Sequence, residues 1–490
     1  MMKEDLNDLR HKILPMKDKL KTDSRKIVPG DVFVAIKGVY HDGHDFVLEA
    51  LKRGARCVVS EKNIEGLSAE DKEKVVIVSD TREILADFVK FIYDDPSEHL
   101  SVYGVTGTNG KTSTVFLIDG ILSSSGRKSG FTSTVFSKIS GDIKVRSDMT
   151  TPDIVTMNHL LSEMVDNGKD AAVIEISSHA LSQKRVEGIG LDSAVFMNIT
   201  PEHLDYHENM DNYLEAKKKI FALLKPGGVG VLNVDDPALI SIKKSLDTDN
   251  IITFGIENKG DVRAENIKTD ISGSEFDLSV RDNALVRIKT SLIGRHNIYN
   301  MLAAAAAVMK SGISVMEIKK GLENVSGPPG RLEKVISNAP FNVFIDYAHT
   351  PDAMKNVLEC LKPMTEGELI CVFGCGGDRD KTKRSIMGKI VSSLAEKVII
   401  TSDNPRTEDP LMIIREIKGG IVGNPVCKVI EKRYNAINEA LNTAGENDIV
   451  LIAGKGHEDH QIVGKEKMRF NDKEVVREIL GKMGYSNVSE

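Results

Sequence analysis

Short, nearly continuous apolar runs recur along the chain, and between them apolar residues return every three or four positions. The runs VFVAI (32–36), CVVS (57–60) and VVIV (75–78) predict strands near the start. DFVLEALKRG (45–54) has helical spacing and a glycine stop. Further on, SVYGVT (101–106), AAVIEIS (171–177), SAVFMNI (193–199) and GVGVLNV (228–234) are almost wholly apolar. That pattern fits parallel strands covered on both faces rather than strands with one wet side. VFIDY (343–347), LICVFG (369–374), KVIIT (397–401) and DIVLIAG (448–454) alternate with helical stretches in the last third. The pattern predicts an α/β protein of three domains. They are a small N-terminal α/β domain over 1–97, a central nucleotide-binding domain with a parallel sheet over 98–328, and a doubly wound C-terminal domain over 329–490. The polar run around Pro96 (94–99) and GPPGRLE (327–333) read as the breaks, with hinges expected at about 94–99 and 326–330.

Composition narrows the class without changing this picture. At 490 residues, about three domains of ~150 residues fit. With 41% hydrophobic and 28% charged residues the chain is an ordinary globular protein. A net charge of −7 argues against nucleic acid and anionic membranes as partners. MMKEDLNDLRHKILP has no apolar signal core, and no apolar run is long enough to span a bilayer, which predicts a cytoplasmic protein without membrane insertion. The five scattered cysteines read as reduced thiols.

The chemistry centres on one turn. SVYGVT feeds Gly107-Thr108-Asn109-Gly110-Lys111-Thr112, which opens a helix expected to be amphipathic. Backbone N–H groups at a helix N-terminus, with one lysine, suit a chain of phosphates, and the Thr112 hydroxyl suits Mg²⁺. The glycine spacing departs from the general phosphate-loop pattern. Polar residues gather after the strands, where ligands sit in open α/β sheets. One group is the loop 148–152, from Asp148 through Thr150 and Thr151. Glu175 lies inside an apolar run, where an acid needs a partner or a metal. His203 and His207 are four apart, as in helical metal pairs, but no fourth ligand is evident. Lys217, Lys218 and Lys219 read as a solvated helix face. Asn297 and Asn300 share one helix face. Near the start, Ser24 and Arg25 could hold a phosphate or simply form a turn. In the last third, Arg379, Arg406, Glu458 and the Asp403-Asn404 pair mix charges as a zwitterion with more than one carboxylate would require.

Taken together, TGTNGKTS, TTP, EISSHAL, HLDYH, EAK, GRHN, PGRLE, DYAHTPD and GCGGDRD resemble the Mur ligase family of ATP-dependent peptidoglycan-precursor ligases, over nearly the whole chain. The tetrapeptide Asp403-Asn404-Pro405-Arg406 is similar to the one its diaminopimelate-adding branch uses. The resemblance implies that Gly107, Thr108, Asn109, Gly110, Lys111, Thr112 and Ser113 hold ATP, with Asn297 and Arg331 contributing. It implies Ser24, Thr150, Thr151, Ser177, Gln183 and Arg185 for UDP-N-acetylmuramoyl-L-alanyl-D-glutamate. Arg379, Asp403, Asn404, Pro405, Arg406, Gly454 and Glu458 would take meso-diaminopimelate. Thr112, Glu175, His203 and a carbamylated Lys217 would surround Mg²⁺, with Lys111, Lys217, Glu175 and His203 catalytic. The carbamate reverses the solvated reading of Lys217. The family acts on small molecules through an acyl phosphate, and a monomer is expected. Two rivals remain: a ligase of the same fold adding L-lysine or folate-linked glutamate, and a nucleotide-dependent switch that makes no peptide bond.

Overall fold

The computed structural model describes residues 19–485, apart from 39–40, 142, 148, 244–245, 247–249 and 282–284. The opening segment and Asp148 therefore lie outside the described residues. Contacts divide the chain into two units. The first runs to Arg263 and adds Ser279–Ala284 and Asn300–Gly321. The second takes Ala264–Leu278, Leu285–Tyr299 and Leu322–Glu490.

The first unit starts with four parallel strands in sequential order, Leu20–Lys21, Val32–Val34, Cys57–Ser60 and Val75–Ile77. The helix Thr81–Tyr93 follows, its first N–H groups capped by the Asp80 carboxylate. It packs against Ile154 and Val155 of the next region, so one apolar cluster serves both. The stretch read as a linker is a pinned turn. Pro96 and Ser97 are buried, Ser97 Oγ donates to Asp95 Oδ1 at 2.6 Å, and Gly190 N donates to Ser97 Oγ at 3.1 Å. Asp94 and Asp95 both take positive φ, at 56° and 33°, a left-handed pair that costs an L-residue of order 1 kcal/mol each.

Beyond it lies the parallel core of a large sheet, in the order Ile251–Gly255, Leu224–Asn233, Leu191–Phe196, Ser101–Thr106, Ala171–Glu175, Ser129–Thr132. The chain leaves Ser101–Thr106 towards one side and later returns to its other side. That reversal opens a crevice at the carboxyl ends of these strands. The helix Lys111–Ser124 departs from the amphipathic expectation. Val115, Leu117, Ile118, Ile121 and Leu122 are all fully buried, and Thr112, Ser113 and Thr114 are buried too. A second helix lies so close that a Cβ on Gly321 would sit 2.4 Å from Ile121 Cα. Each buried aliphatic side chain here contributes roughly 1.5–3 kcal/mol, which holds the phosphate loop's helix rigidly on the sheet.

The second unit has a six-stranded sheet in the order Glu333–Val335, Asn342–Asp346, Ile449–Ala453, Leu369–Phe373, Lys397–Ile400, Val426–Val429. Only the first pair is antiparallel. Apolar clusters cover both faces. The four loops that leave the carboxyl ends of neighbouring parallel strands are the predicted polar clusters. All five cysteines are free. Among the described residues, no helix is long and apolar enough to cross a membrane.

Candidate active site

The phosphate loop is built as a cradle. Gly110, at φ 86°, caps the helix, and a Cβ there would also lie 2.3 Å from Asn300 Oδ1, so glycine is required twice over. Asn198 clamps Asn109 from both sides: Asn109 N donates to its Oδ1 at 2.9 Å and its Nδ2 donates to Asn109 O at 3.1 Å. Lys111 folds back, donating to Gly107 O at 2.9 Å and Thr108 O at 2.8 Å. Lys217 donates to the same Gly107 O at 2.7 Å, so two lysine amines share one carbonyl.

Glu175 is the junction of the site. It is 1% exposed, and hydroxyls and an amide hold it rather than a cation. Thr112 Oγ1 donates to both carboxylate oxygens, at 3.1 and 3.0 Å. Thr134 donates from N at 2.8 Å and from Oγ1 at 2.9 Å. Thr134 Oγ1 also reaches Thr150 Oγ1 at 3.1 Å. The main chain of Glu175 continues the network, because Thr151 Oγ1 donates to Glu175 O at 2.9 Å and accepts from Ser177 N at 3.0 Å. Arg185 donates to Thr151 O at 3.0 Å and forks onto Gln183 Oε1 at 3.0 and 2.6 Å. The phosphate loop and five of the six residues expected at the acceptor are thus linked through one acid. Ser24 is buried in a short turn capped by Asp23, and no described hydrogen bond joins it to this network.

Beside the loop, aromatic rings and imidazoles pack together. His179 lies 4.8 Å from His203, 4.3 Å from Tyr206 and 5.6 Å from His207, centroid to centroid. Burial, then the neighbouring His203 and His207, push His179 down to about 4. Partial desolvation, with Lys111 and Lys217 nearby and against the pull of Glu202, also lowers His203, which favours the neutral imidazole. His207 is buried, with Nε2 3.0 Å from Ser178 Oγ.

Lys217 corrects the solvated-face reading of 217–219. Only Lys219 is exposed, whereas Lys217 is 1% exposed with its amine 4.7 Å from the Tyr213 ring centroid. Burial, then the Lys111 cation, push it well below the ordinary lysine range. A neutral amine is the form that adds CO₂.

In the second unit, the loops after the strands form another connected set. A Cβ on Gly454, at φ 112°, would lie 2.6 Å from Asp403 Oδ2. Asn404 Nδ2 donates to Glu458 Oε2 at 2.9 Å. Arg406, at φ 51°, donates Nη1 to Gly377 O at 2.7 Å, and a Cβ on Gly377 would strike Pro405 O. Arg379 is exposed and donates to Asp378 O at 3.0 Å. Asn297 donates to Ile293 O at 2.9 Å, and the Arg331 guanidinium lies 4.7 Å from the Tyr347 ring centroid, its Nε without a hydrogen-bond partner among the described residues.

Sequence reasoning missed Thr134, Lys455 and Gln461. Thr134 had a signal, a Ser/Thr run directly after the strand Ser129–Thr132. Lys455 is fully buried and donates to Glu458 Oε2 at 2.8 Å and Asn404 Oδ1 at 3.2 Å. Gln461 donates to Asp403 O from a hairpin of His460–Val463 and Glu466–Arg469. The same hairpin gives Ile462 N to Asn404 Oδ1 at 2.9 Å and takes Arg406 N on Ile462 O at 3.1 Å.

Comparison with known proteins matches three family models in turn. They are the Mur ligase family, catalytic domain, over 18–93, the Mur ligase middle domain over 105–308, and the Mur ligase, glutamate ligase domain, over 330–456. A UDP-N-acetylmuramoyl-L-alanyl-D-glutamate–2,6-diaminopimelate ligase of Alkaliphilus metalliredigens is 44% identical over 94% of this chain and 93% of its own. One of the same name from Clostridium botulinum is 41% identical over 94% and 95%. A solved structure of that name is 32% identical, with a TM-score of 0.68 over 96% of both chains. A MurF ligase of Thermotoga maritima in complex with ADP shares the fold, at 20% identity and a TM-score of 0.63 over 95% of this chain and 97% of that one. With its three regions matched in order and its phosphate loop, buried acid and buried lysine assembled at one crevice, this chain belongs to the Mur ligase family.

Proposed function

We propose that the protein is an ATP-dependent ligase that adds meso-2,6-diaminopimelate to UDP-N-acetylmuramoyl-L-alanyl-D-glutamate during peptidoglycan-precursor synthesis in the cytoplasm. The observation that carries this reading is the continuous network from the phosphate loop through Glu175 to Thr150, Thr151, Ser177 and Arg185, which would bring a phosphoryl donor and a carboxylate acceptor to one acid. The names of relatives at 40–44% identity support the substrates.

The loop amides and the N-terminus of Lys111–Ser124 would receive the triphosphate, and Lys111 would leave Gly107 O for the phosphates. The γ-phosphoryl passes to the free carboxylate of the D-glutamyl residue, giving an acyl phosphate and ADP. The amine of diaminopimelate attacks that carbonyl, loses a proton, and expels phosphate as the amide forms. Positioning and charge neutralisation supply most of the catalysis in such transfers. The donors fit a hard dication: a threonine hydroxyl, a buried carboxylate, a neutral imidazole and a lysine held uncharged enough to be carbamylated. Thr112, Glu175, His203 and carbamylated Lys217 would hold Mg²⁺, which neutralises phosphate charge when bound. Arg379 and Arg406 would hold carboxylates of the amino acid, and Asp403 and Glu458 an ammonium.

The test is phosphate release from ATP with the UDP-linked acceptor, comparing meso-diaminopimelate with L-lysine. Strong dependence on diaminopimelate is expected. A preference for lysine would break the reading of Arg406, and release needing neither amino acid would break the ligase reading.

A further inference from the structure

The amino-acid site of the second unit contains a charge that the proposed chemistry does not use. Lys455 is fully buried, and both its donated bonds end on residues assigned to diaminopimelate. Its ammonium holds Glu458 Oε2 at 2.8 Å, and Asn404 Nδ2 takes the same oxygen at 2.9 Å. Glu458 Oε1 receives no hydrogen bond among the described residues, and the side chain keeps 23% exposure. The two oxygens of one carboxylate are therefore unequal: one is saturated and one is open.

Lys455 also settles the Asn404 amide. A lysine ammonium can only donate, so the Asn404 atom facing it has to be the oxygen. Ile462 N donates to that same oxygen at 2.9 Å. The Asn404 nitrogen is thereby turned onto Glu458. Breaking the lysine contact leaves Ile462 N as the donor that holds the Asn404 oxygen and frees the Glu458 carboxylate to rotate.

We propose that Lys455 is a positioning residue for amino-acid recognition: it fixes Glu458 Oε2 and, together with Ile462 N, holds Asn404 onto that oxygen, so that Glu458 Oε1 is presented to the incoming ammonium. This inference rests on the reading of the second unit as the amino-acid site. A plain structural ion pair would stabilise the loops without ranking substrates. A positioning residue changes the amino-acid step alone.

Phosphate release by the full-length enzyme, with diaminopimelate varied at saturating ATP and acceptor, tests this in Lys455→Met and Lys455→Gln. In Lys455→Met the KM for diaminopimelate rises about 10- to 100-fold, in the range for supporting contacts around a binding group, while KM for ATP and for the acceptor stay within about two-fold. Lys455→Gln keeps a donor and recovers part of that loss. The pH profile separates the roles further. Glu458 faces Lys455 and His460 from its own loop and hairpin, Tyr347 from the loop after Asn342–Asp346, and Arg433 from the helix Arg433–Asn442. Burial works against its charge, and Lys455 is the first group opposing that. Without Lys455, kcat/KM for diaminopimelate gains an acid limb in which activity falls as pH falls.

An unchanged KM for diaminopimelate, or an equal loss for all three substrates, overturns the proposal. So does failure of both variants to fold, judged by circular dichroism and by an ADP-dependent melting shift. A wild-type enzyme indifferent to diaminopimelate removes the underlying reading, which a failure confined to the variants does not.

Discussion

Two fully buried lysines, one in each unit, show how a partner decides what the same side chain can do. Lys217 meets a carbonyl, Gly107 O, and the face of Tyr213. Burial, then the Lys111 cation, outweigh the opposing charge of Glu202 and drive the amine towards its neutral form. Lys455 meets a carboxylate and an amide oxygen, in a salt bridge to Glu458. The first environment favours an uncharged amine; the second holds an ammonium between two acceptors. Burial alone would not have told them apart.

Removing each amine is the sharpest way to break this contrast. Lys217→Ala should lower kcat by on the order of 10²–10³, in line with losing one preorganised charge-stabilising group, and short carboxylic acids should restore part of it. Full activity in that variant would remove the carbamate role. Stability should follow the opposite ranking. Lys455→Met removes the cation from a partly exposed Glu458 that keeps its Asn404 bond, and should cost about 1.5–3 kcal/mol, as losing a hydrogen bond to a charged group does. Lys217→Met leaves Gly107 O still bonded to Lys111 and should cost about 1 kcal/mol or less. Urea melts of both variants check the order, and equal losses would sink the comparison.

A smaller effect tests the loop itself. Gly110→Ala forces a side chain into the left-handed region and against Asn300. It should cost about 1–3 kcal/mol and weaken ATP binding, measured by calorimetry, more than diaminopimelate binding.

The smallest is a pair of pH effects of opposite sign. In the unfolded chain Lys217 takes up a proton that the folded site refuses, so in CO₂-free buffer its presence lowers stability as pH falls below the ordinary lysine range. In the second unit, hydrogen bonds from Arg384 draw Glu408 down to about 2. Its contribution is present above the ordinary glutamate pKa, near 4.5, and is lost as pH falls through about 2. Melting temperatures of Lys217→Met and Glu408→Gln against wild type, read across pH, should diverge in those separate windows.

The sequence carried the parallel sheets well, because strands buried on both faces are continuously apolar. It carried the phosphate loop and the polar strand ends for a similar local reason. It could not carry Lys217, since three lysines in a row look like a wet surface until the fold seals one of them under Tyr213. Thr134 was hidden because its partner Glu175 is 41 positions away, and Lys455 because its link to Asn404 spans 51 positions, although Glu458 is only three away. The stretch 94–99 falls between two matched family regions, but its composition did not show how firmly it is held. Proline and acids look like a tether, yet Ser97 is buried and hydrogen-bonded across 93 positions to Gly190.

The phosphate loop is contiguous in the chain, but its completion is a long-range event. Asn109 waits for Asn198, 89 positions on, Thr108 for Tyr213 at 105, and Gly107 for Lys217 at 110. Asn300 arrives later still. During synthesis, the ribosome will have released the whole motif well before anything exists to shape it. Contacts this distant close slowly. A nascent chain cut short of Asn300 can therefore display every letter of the nucleotide motif and still lack the cradle, so competence for ATP becomes a late checkpoint on folding.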